Sequence, residues 1–269
     1  MRATLVLLLA FLGGAVRPAA AQIDYRNLDD DRPTFIEDAY PVERFAFELL
    51  APWRYERAGP GQSLHLFVPE LAWGVVPNAQ LGLKAPIAGA RDGDGTSWGL
   101  AGLRAFALYN FFTEGMTYPA ISLRTDLALP AGSLGGDITR FGLKAIATRS
   151  FGPHRVHFNL AGSVGGDGEG PAGEPLARWS AGAAVDRTFI RESLLLVAEA
   201  YAIEHHPDEP TEVLASIGAR MQLRPTLVID AGVGRRLTRN GPDFAITLGL
   251  SHAFGVTWLM PRPARGGGR

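Results

Sequence analysis

Apolar and polar side chains alternate in twelve separate stretches of this chain between residues 43 and 254. A period of two leaves little freedom: each stretch must be an extended strand with one face in an apolar medium. The last stretch, FAITLGLSHAF (244–254), is the purest. Phe244, Ile246, Leu248 and Leu250 share one face, followed by His252 and Phe254, while Ala245, Thr247, Gly249, Ser251 and Ala253, all small, share the other. The first, ERFAFELLAPWRYE (43–56), sets Phe45, Phe47, Leu49, Ala51, Trp53 and Tyr55 against Arg44, Glu48, Arg54 and Glu56. Ten more begin near residues 63, 79, 99, 117, 138, 154, 176, 193, 211 and 226, mostly at the length of roughly 9 to 11 residues that a tilted strand needs to cross a bilayer. One of them, SLLLVAEAYAIE (193–204), is apolar on both faces apart from Glu199 and has the look of a helix.

The links carry independent information. After the second, fourth, sixth, eighth and tenth stretches they are tight: VPNA, FTEGM, GPH, TFIRE and RPT. After the third, fifth, seventh and ninth they are longer and more polar: GARDGDGTSW, PAGSLGGD, GGDGEGPAGEP and HHPDEP. Only the first link, AGPGQ, breaks the rule, and this asymmetry is that of periplasmic turns and extracellular loops. A soluble β-sandwich satisfies alternation by itself. The charges on the polar face, the aromatic strand ends and the loop lengths favour an all-β transmembrane, antiparallel up-and-down β-barrel of about twelve strands. Closure also removes the strand edges that hydrocarbon forbids.

The chain opens MRATLVLLLAFLGGAVRPAAAQ, with one arginine, an apolar run from Leu5 to Leu12 and small residues Ala19 to Ala21. The run is too short for a membrane helix and reads as a secretory leader cleaved before Gln22. The expected organisation is a leader over 1–21, a periplasmic segment over 22–41, a barrel over 42–254 and a periplasmic tail over 255–269, in the outer membrane of a Gram-negative bacterium. There is no cysteine, hence no disulfide framework and no Cys-based zinc site. With 26 Lys and Arg against 27 Asp and Glu, nothing resembles a footprint for nucleic acid.

The stretch DRPTFIEDAYPVERFAFEL (31–49) is an acidic, proline-containing lead-in that runs into a first strand, and PELAWGVVPNAQLGLKAPI (69–87) supplies a second hairpin. Together with LKAIATRSFGP (143–153) they resemble a family of bacterial outer-membrane barrels assigned to the MetA pathway of phenol degradation or transport. The resemblance implies an outer-membrane protein that helps small organic molecules cross. It supplies no catalytic residues.

Candidates for other chemistry are thin. His205, His206, Asp208 and Glu209 could ligate a metal, but an exposed polar loop explains them more simply. DGDGT (92–96) lacks the downstream Glu of a calcium loop, and GGDGEG (165–170) does likewise. His157, Asn159 and Ser163 share an inward face, yet no G-x-S-x-G elbow is present. No enzyme, metal or cofactor is therefore expected. The expected lumen lining is Arg44, Glu48, Arg54, Glu56, Glu70, Lys84, Arg104, Arg124, Asp126, Arg140, Lys144, Arg178, Asp186, Glu199, Arg220, Asp230 and Arg236. Twelve strands fall between side-chain-filled and open barrels, so a constricted lumen follows. The expectation is a monomeric passive channel or transporter for small, aromatic or hydrophobic solutes. The alternative is a sealed structural or lipid-modifying barrel. The expected partners are outer-membrane lipid, the solute and the barrel-assembly machinery, with Phe254 as the assembly signal at the periplasmic rim.

Overall fold

The structure, a computed structural model, describes residues 18–19, 23–30, 32–93, 95–165, 176–190, 193–205, 210–256 and 259. Twelve antiparallel strands form the wall. The first four each come in two pieces: β1 is Ala46–Leu50 and Trp53–Gly59, β2 Gln62–Phe67 and Glu70–Val76, β3 Ala79–Lys84 and Ile87–Asp92, β4 Gly95–Leu100 and Leu103–Phe112. The others are continuous: β5 Ala120–Leu129, β6 Arg140–Phe151, β7 His154–Gly165, β8 Trp179–Phe189, β9 Leu194–Glu204, β10 Glu212–Arg224, β11 Leu227–Arg236 and β12 Phe244–Val256. Each strand pairs with the next, and β12 returns to β1 from Phe244↔Arg57 to Gly255↔Ala46, so the sheet closes. Ahead of the wall, Pro18–Ala19 pair with Val256 and Gly255. The alternation does what the sequence implies. Leu83, Phe158, Leu160 and Ile217 point outward and lie exposed in a continuous apolar belt, which water would penalise and lipid accepts.

The breaks in the first four strands lie on one line across the wall, at Ala51–Pro52, Val68–Pro69, Ala85–Pro86 and Ala101–Gly102. A proline removes a ladder donor. The residue before each break restores the pairing: the Val68, Ala85 and Ala101 N–H groups donate to the carbonyls of Pro52, Pro69 and Pro86 at 3.1, 3.0 and 2.8 Å.

Two expectations need correction. GARDGDGTSW is mostly wall rather than loop, because Ile87–Asp92 pairs with Gly95–Leu100, from Ile87↔Leu100 to Asp92↔Gly95. Glycine at 89 lets the Trp98 ring lie flat across the hairpin, where a Cβ would come within 2.5 Å of it. The long links over 166–175 and 206–209 lie outside the described residues. The second correction concerns residues 22–41, expected outside the barrel. The described residues 23–30 and 32–40 are threaded through the lumen, where Leu28, Arg32, Thr34, Ile36, Asp38 and Ala39 are buried.

Candidate functional site

The lumen is occupied, and the inner face of the wall is shaped for its occupant. Toward one end Ile23, Tyr25, Leu28 and Ile36 of the segment pack against Leu195, Val197 and Tyr201 of β9, together with Ala46, Ala184, Leu214, Val228 and Ala253. This explains why SLLLVAEAYAIE is apolar on both faces: one meets lipid, the other meets the segment. Burying such a side chain fully is worth about 1.5–3 kcal/mol.

The small inner face of β12 and its neighbours has the same cause. A Cβ at Gly218 would sit 2.7 Å from the Pro33 ring, one at Gly182 2.8 Å from Ile36, and one at Gly232 would collide with the Pro33 carbonyl oxygen. Thr247 donates to that oxygen at 2.8 Å, and Ser251 accepts from Arg32 at 2.9 Å.

Lacking a strand neighbour, the segment must find partners for its backbone, since buried amides are almost always satisfied. Wall side chains supply them. Glu199 accepts the Phe35 and Ile36 N–H groups, both at 2.9 Å. Asn159 accepts from the Glu37 N–H at 2.9 Å and donates to its carbonyl at 2.8 Å. The Ala39 N–H donates to Thr148 at 3.0 Å, while Asn110 donates to the Ala39 carbonyl at 2.9 Å. Just beyond the segment, Gln80 accepts the Val42 N–H at 2.7 Å.

Charge is matched in the same way. Asp30 lies among four wall cations: Lys84 at 2.9 Å, Arg124 at 3.3 Å, Arg104 at 3.9 Å, and Lys144. Glu37 pairs with Arg124 at 2.9 Å and Lys144 at 3.1 Å. The wall adds Asp126 on Arg124 at 2.9 Å and Glu70 on Lys84 at 3.5 Å. Asp29 pairs with Arg220 at 2.6 Å and with Arg32 at 2.9 Å, and Arg32 reaches Asp230 at 3.3 Å. Asp38 meets Arg155 at 3.3 Å, and Arg155 also holds Asp186 at 2.7 Å. Buried ions are tolerable only in such multiply paired sets, because desolvation costs several kcal/mol per ion.

Of the expected lumen residues, Glu48, Arg54, Glu70, Lys84, Arg104, Arg124, Asp126, Asp186, Glu199, Arg220 and Asp230 are buried inside. Lys144 joins them at 14% side-chain exposure, and Glu56, paired with Arg54 at 3.0 Å, at 19%. Arg140 and Arg236 are half-buried. Two expectations fail. Arg44 precedes the wall strand and is exposed, its guanidinium lying 4.3 Å above the Phe45 ring. Arg178 sits at the loop before β8 and is exposed against Glu204.

The sequence reading missed Arg155, although it shares its face with His157, and it missed every charge of the segment. His157 is held between Thr148 and Asp186, both at 2.9 Å, whereas Ser163 donates to the Leu176 and Ala177 carbonyls and Asn159 holds the segment. No catalytic constellation forms from these three. Among the described residues no group of three metal-ligating side chains exists. Phe254 pairs across strands with Phe47 and stacks on its ring at 5.4 Å.

Above the segment the lumen opens into a cavity of about 670 Å³ that reaches the strand ends at Ile203, Glu212 and Arg236. Asp30, Phe35 and Ile36 of the segment contribute to its lining, and Arg104, Asp126, Lys144 and Tyr201 contribute from the wall.

Fold and filled lumen together define the class: a closed twelve-stranded barrel of the outer-membrane type with an internal segment. No protein-family model matches the chain, and no curated protein matches it in sequence. Among solved structures it is similar to an outer membrane channel from Pseudomonas putida F1, with a TM-score of 0.63 and 16% identity over 84% of this chain and 100% of that one. It is also similar to the KdgM porin (TM-score 0.51, 11% identity, 76% of this chain and 98% of that one). The β domain of the Bordetella autotransporter BrkA follows (0.52, 9%, 77% and 99%). At these identities the likeness is one of fold.

Proposed function

We propose that the protein is a monomeric outer-membrane channel for small solutes, inserted by the barrel-assembly machinery and closed at rest by its own residues 23–40. The observation that carries this reading is the way the segment is held. Its backbone bonds go to wall side chains such as Glu199, Asn159 and Thr148 and not to a strand ladder. It can therefore leave the lumen without opening the wall, and the cavity above it supplies an approach. The similarity of fold to outer-membrane channels supports the same reading, and the resemblance of residues 31–49 and 69–87 to MetA-pathway barrels favours small aromatic or hydrophobic solutes.

Conductance in planar bilayers tests it. The full chain should show rare openings, and a variant lacking residues 23–40 should conduct steadily, with heat-modifiable gel migration proving that each is folded. A folded deletion variant that never conducts would establish the sealed, structural barrel instead.

A further inference from the structure

Asp30 and Glu37 occupy a position that a solute could occupy. Both carboxylates come from the removable segment, and both bind the same two cations, Arg124 and Lys144, while Lys84 and Arg104 complete the cage around Asp30. Among the described residues, the carboxylates paired with these four cations include Glu70 and Asp126, which belong to the wall, and Asp30 and Glu37, which leave with the segment. The wall thus holds its cations in place whether or not the segment is there, since each sits on a strand of the closed sheet. The cage is also within reach from outside, because Arg104 and Lys144 line the open cavity beside Asp30.

We propose that this four-cation cluster is a binding site for small organic anions bearing one or two carboxylates. On this proposal the segment is a tethered occupant of the site, and such an anion opens the channel by competing with Asp30 and Glu37. The proposal rests on the channel reading above and departs from the apolar solute that the sequence resemblance implies. The physical basis is differential binding: an anion that takes the cage binds only the state from which the segment has withdrawn, and so shifts the population toward it. Charge-assisted bonds to Arg and Lys make the exchange nearly balanced, because one carboxylate replaces another.

The test is the full-length protein in planar bilayers with succinate added on the cavity side, and with succinamide as the neutral control of the same shape. Succinate should raise open probability and succinamide should not. Asp30→Asn combined with Glu37→Gln should raise open probability by at least about tenfold without any solute, since even one lost charge-assisted hydrogen bond is worth that much. Its open state should prefer chloride to potassium in a salt gradient. Lys144→Gln should abolish the succinate response.

A double variant that stays closed, or opens with cation preference, overturns the proposal provided the deletion of residues 23–40 conducts. If the deletion does not conduct either, the channel reading itself has failed. Because the chain has no cysteine, Phe35→Cys gives a readout that does not depend on conductance. Succinate should accelerate modification of that thiol, and unchanged labelling counts against displacement.

Discussion

The segment rests on two kinds of wall. Around Leu28 the lumen is apolar, with Leu195, Val197, Val228 and Ala253 closing over it. Around Asp30 it is ionic, with four cations converging on one carboxylate. The apolar seat is tolerant, since dispersion and area burial have no direction. The ionic seat is demanding: it is stabilising only while every charge has its partners, and removing one member exposes the rest to an uncompensated desolvation cost. The first seat accordingly fixes where the segment lies, and the second decides whether it can be exchanged for something else.

The largest effect is expected from breaking the ionic seat from the wall side. Arg124 is 1% exposed, holds Glu37 and Asp126 each at 2.9 Å, and lies 3.9 Å above the Phe106 ring. Arg124→Ala should cost about 3–5 kcal/mol, read as a lowered urea midpoint in detergent together with faster labelling of a cysteine placed at Phe35. Added salt should restore little, because buried pairs are weakly screened.

Leu28→Ala tests the other seat. Leu28 is 1% exposed in the apolar cluster, and truncation there should cost about 2–5 kcal/mol. Its signature should differ from that of Arg124→Ala: labelling at Phe35 should accelerate while chloride preference stays unchanged, since no charge has moved. If both variants altered selectivity, the division of labour between the two seats would be wrong.

Gly232→Ala sharpens the comparison without touching either seat. A methyl there meets the Pro33 carbonyl oxygen, which accepts from Thr247 at 2.8 Å. The segment must shift, at about 1–3 kcal/mol. Openings should become more frequent while the folded wall keeps its heat-modifiable migration, because Gly232 stays within its ladder opposite Gly218 and Thr247.

Most of the wall is legible in the sequence because strand pairing imposes a strict period of two, and Glu48, Arg104, Arg124 and Asp230 fall inside simply by parity. The occupant of the lumen is not legible in the same way. The stretch DDDRPTFIEDAY has no period, its partners lie more than 80 residues away for Arg124 and Ser122, and its acidity is equally suited to a solvated lead-in. Traces of it were nonetheless present. β9 carries Leu195, Val197 and Tyr201 on a face that should be polar, and β12 presents only small groups inward; both are the imprint of a missing neighbour. Strand limits near 88–98 are hidden for a local reason, since Gly, Asp and Ser mark a loop in composition while the hairpin is fixed by Trp98 packing on Gly89.

The smallest effect on stability is expected at Phe254, which belongs to neither seat. Its ring faces away from the lumen and stacks on Phe47, which stacks in turn on Trp73 at 5.6 Å. Phe254→Asp places a carboxylate at the rim, where a charge costs about 0–1 kcal/mol, and removes an aromatic pair worth about 0.5–1.5 kcal/mol. Neither unfolds a closed sheet of twelve strands, so the purified, refolded variant should keep its heat resistance. In cells the outcome should be different: if the terminal ring is what the assembly machinery reads, inserted protein falls steeply although intrinsic stability does not. Deleting residues 258–269 should leave insertion intact, because β12 ends at Val256 and retains the ring. Should the deletion abolish insertion while Phe254→Asp is harmless, the signal lies around Trp258, and the ring at 254 serves only the wall.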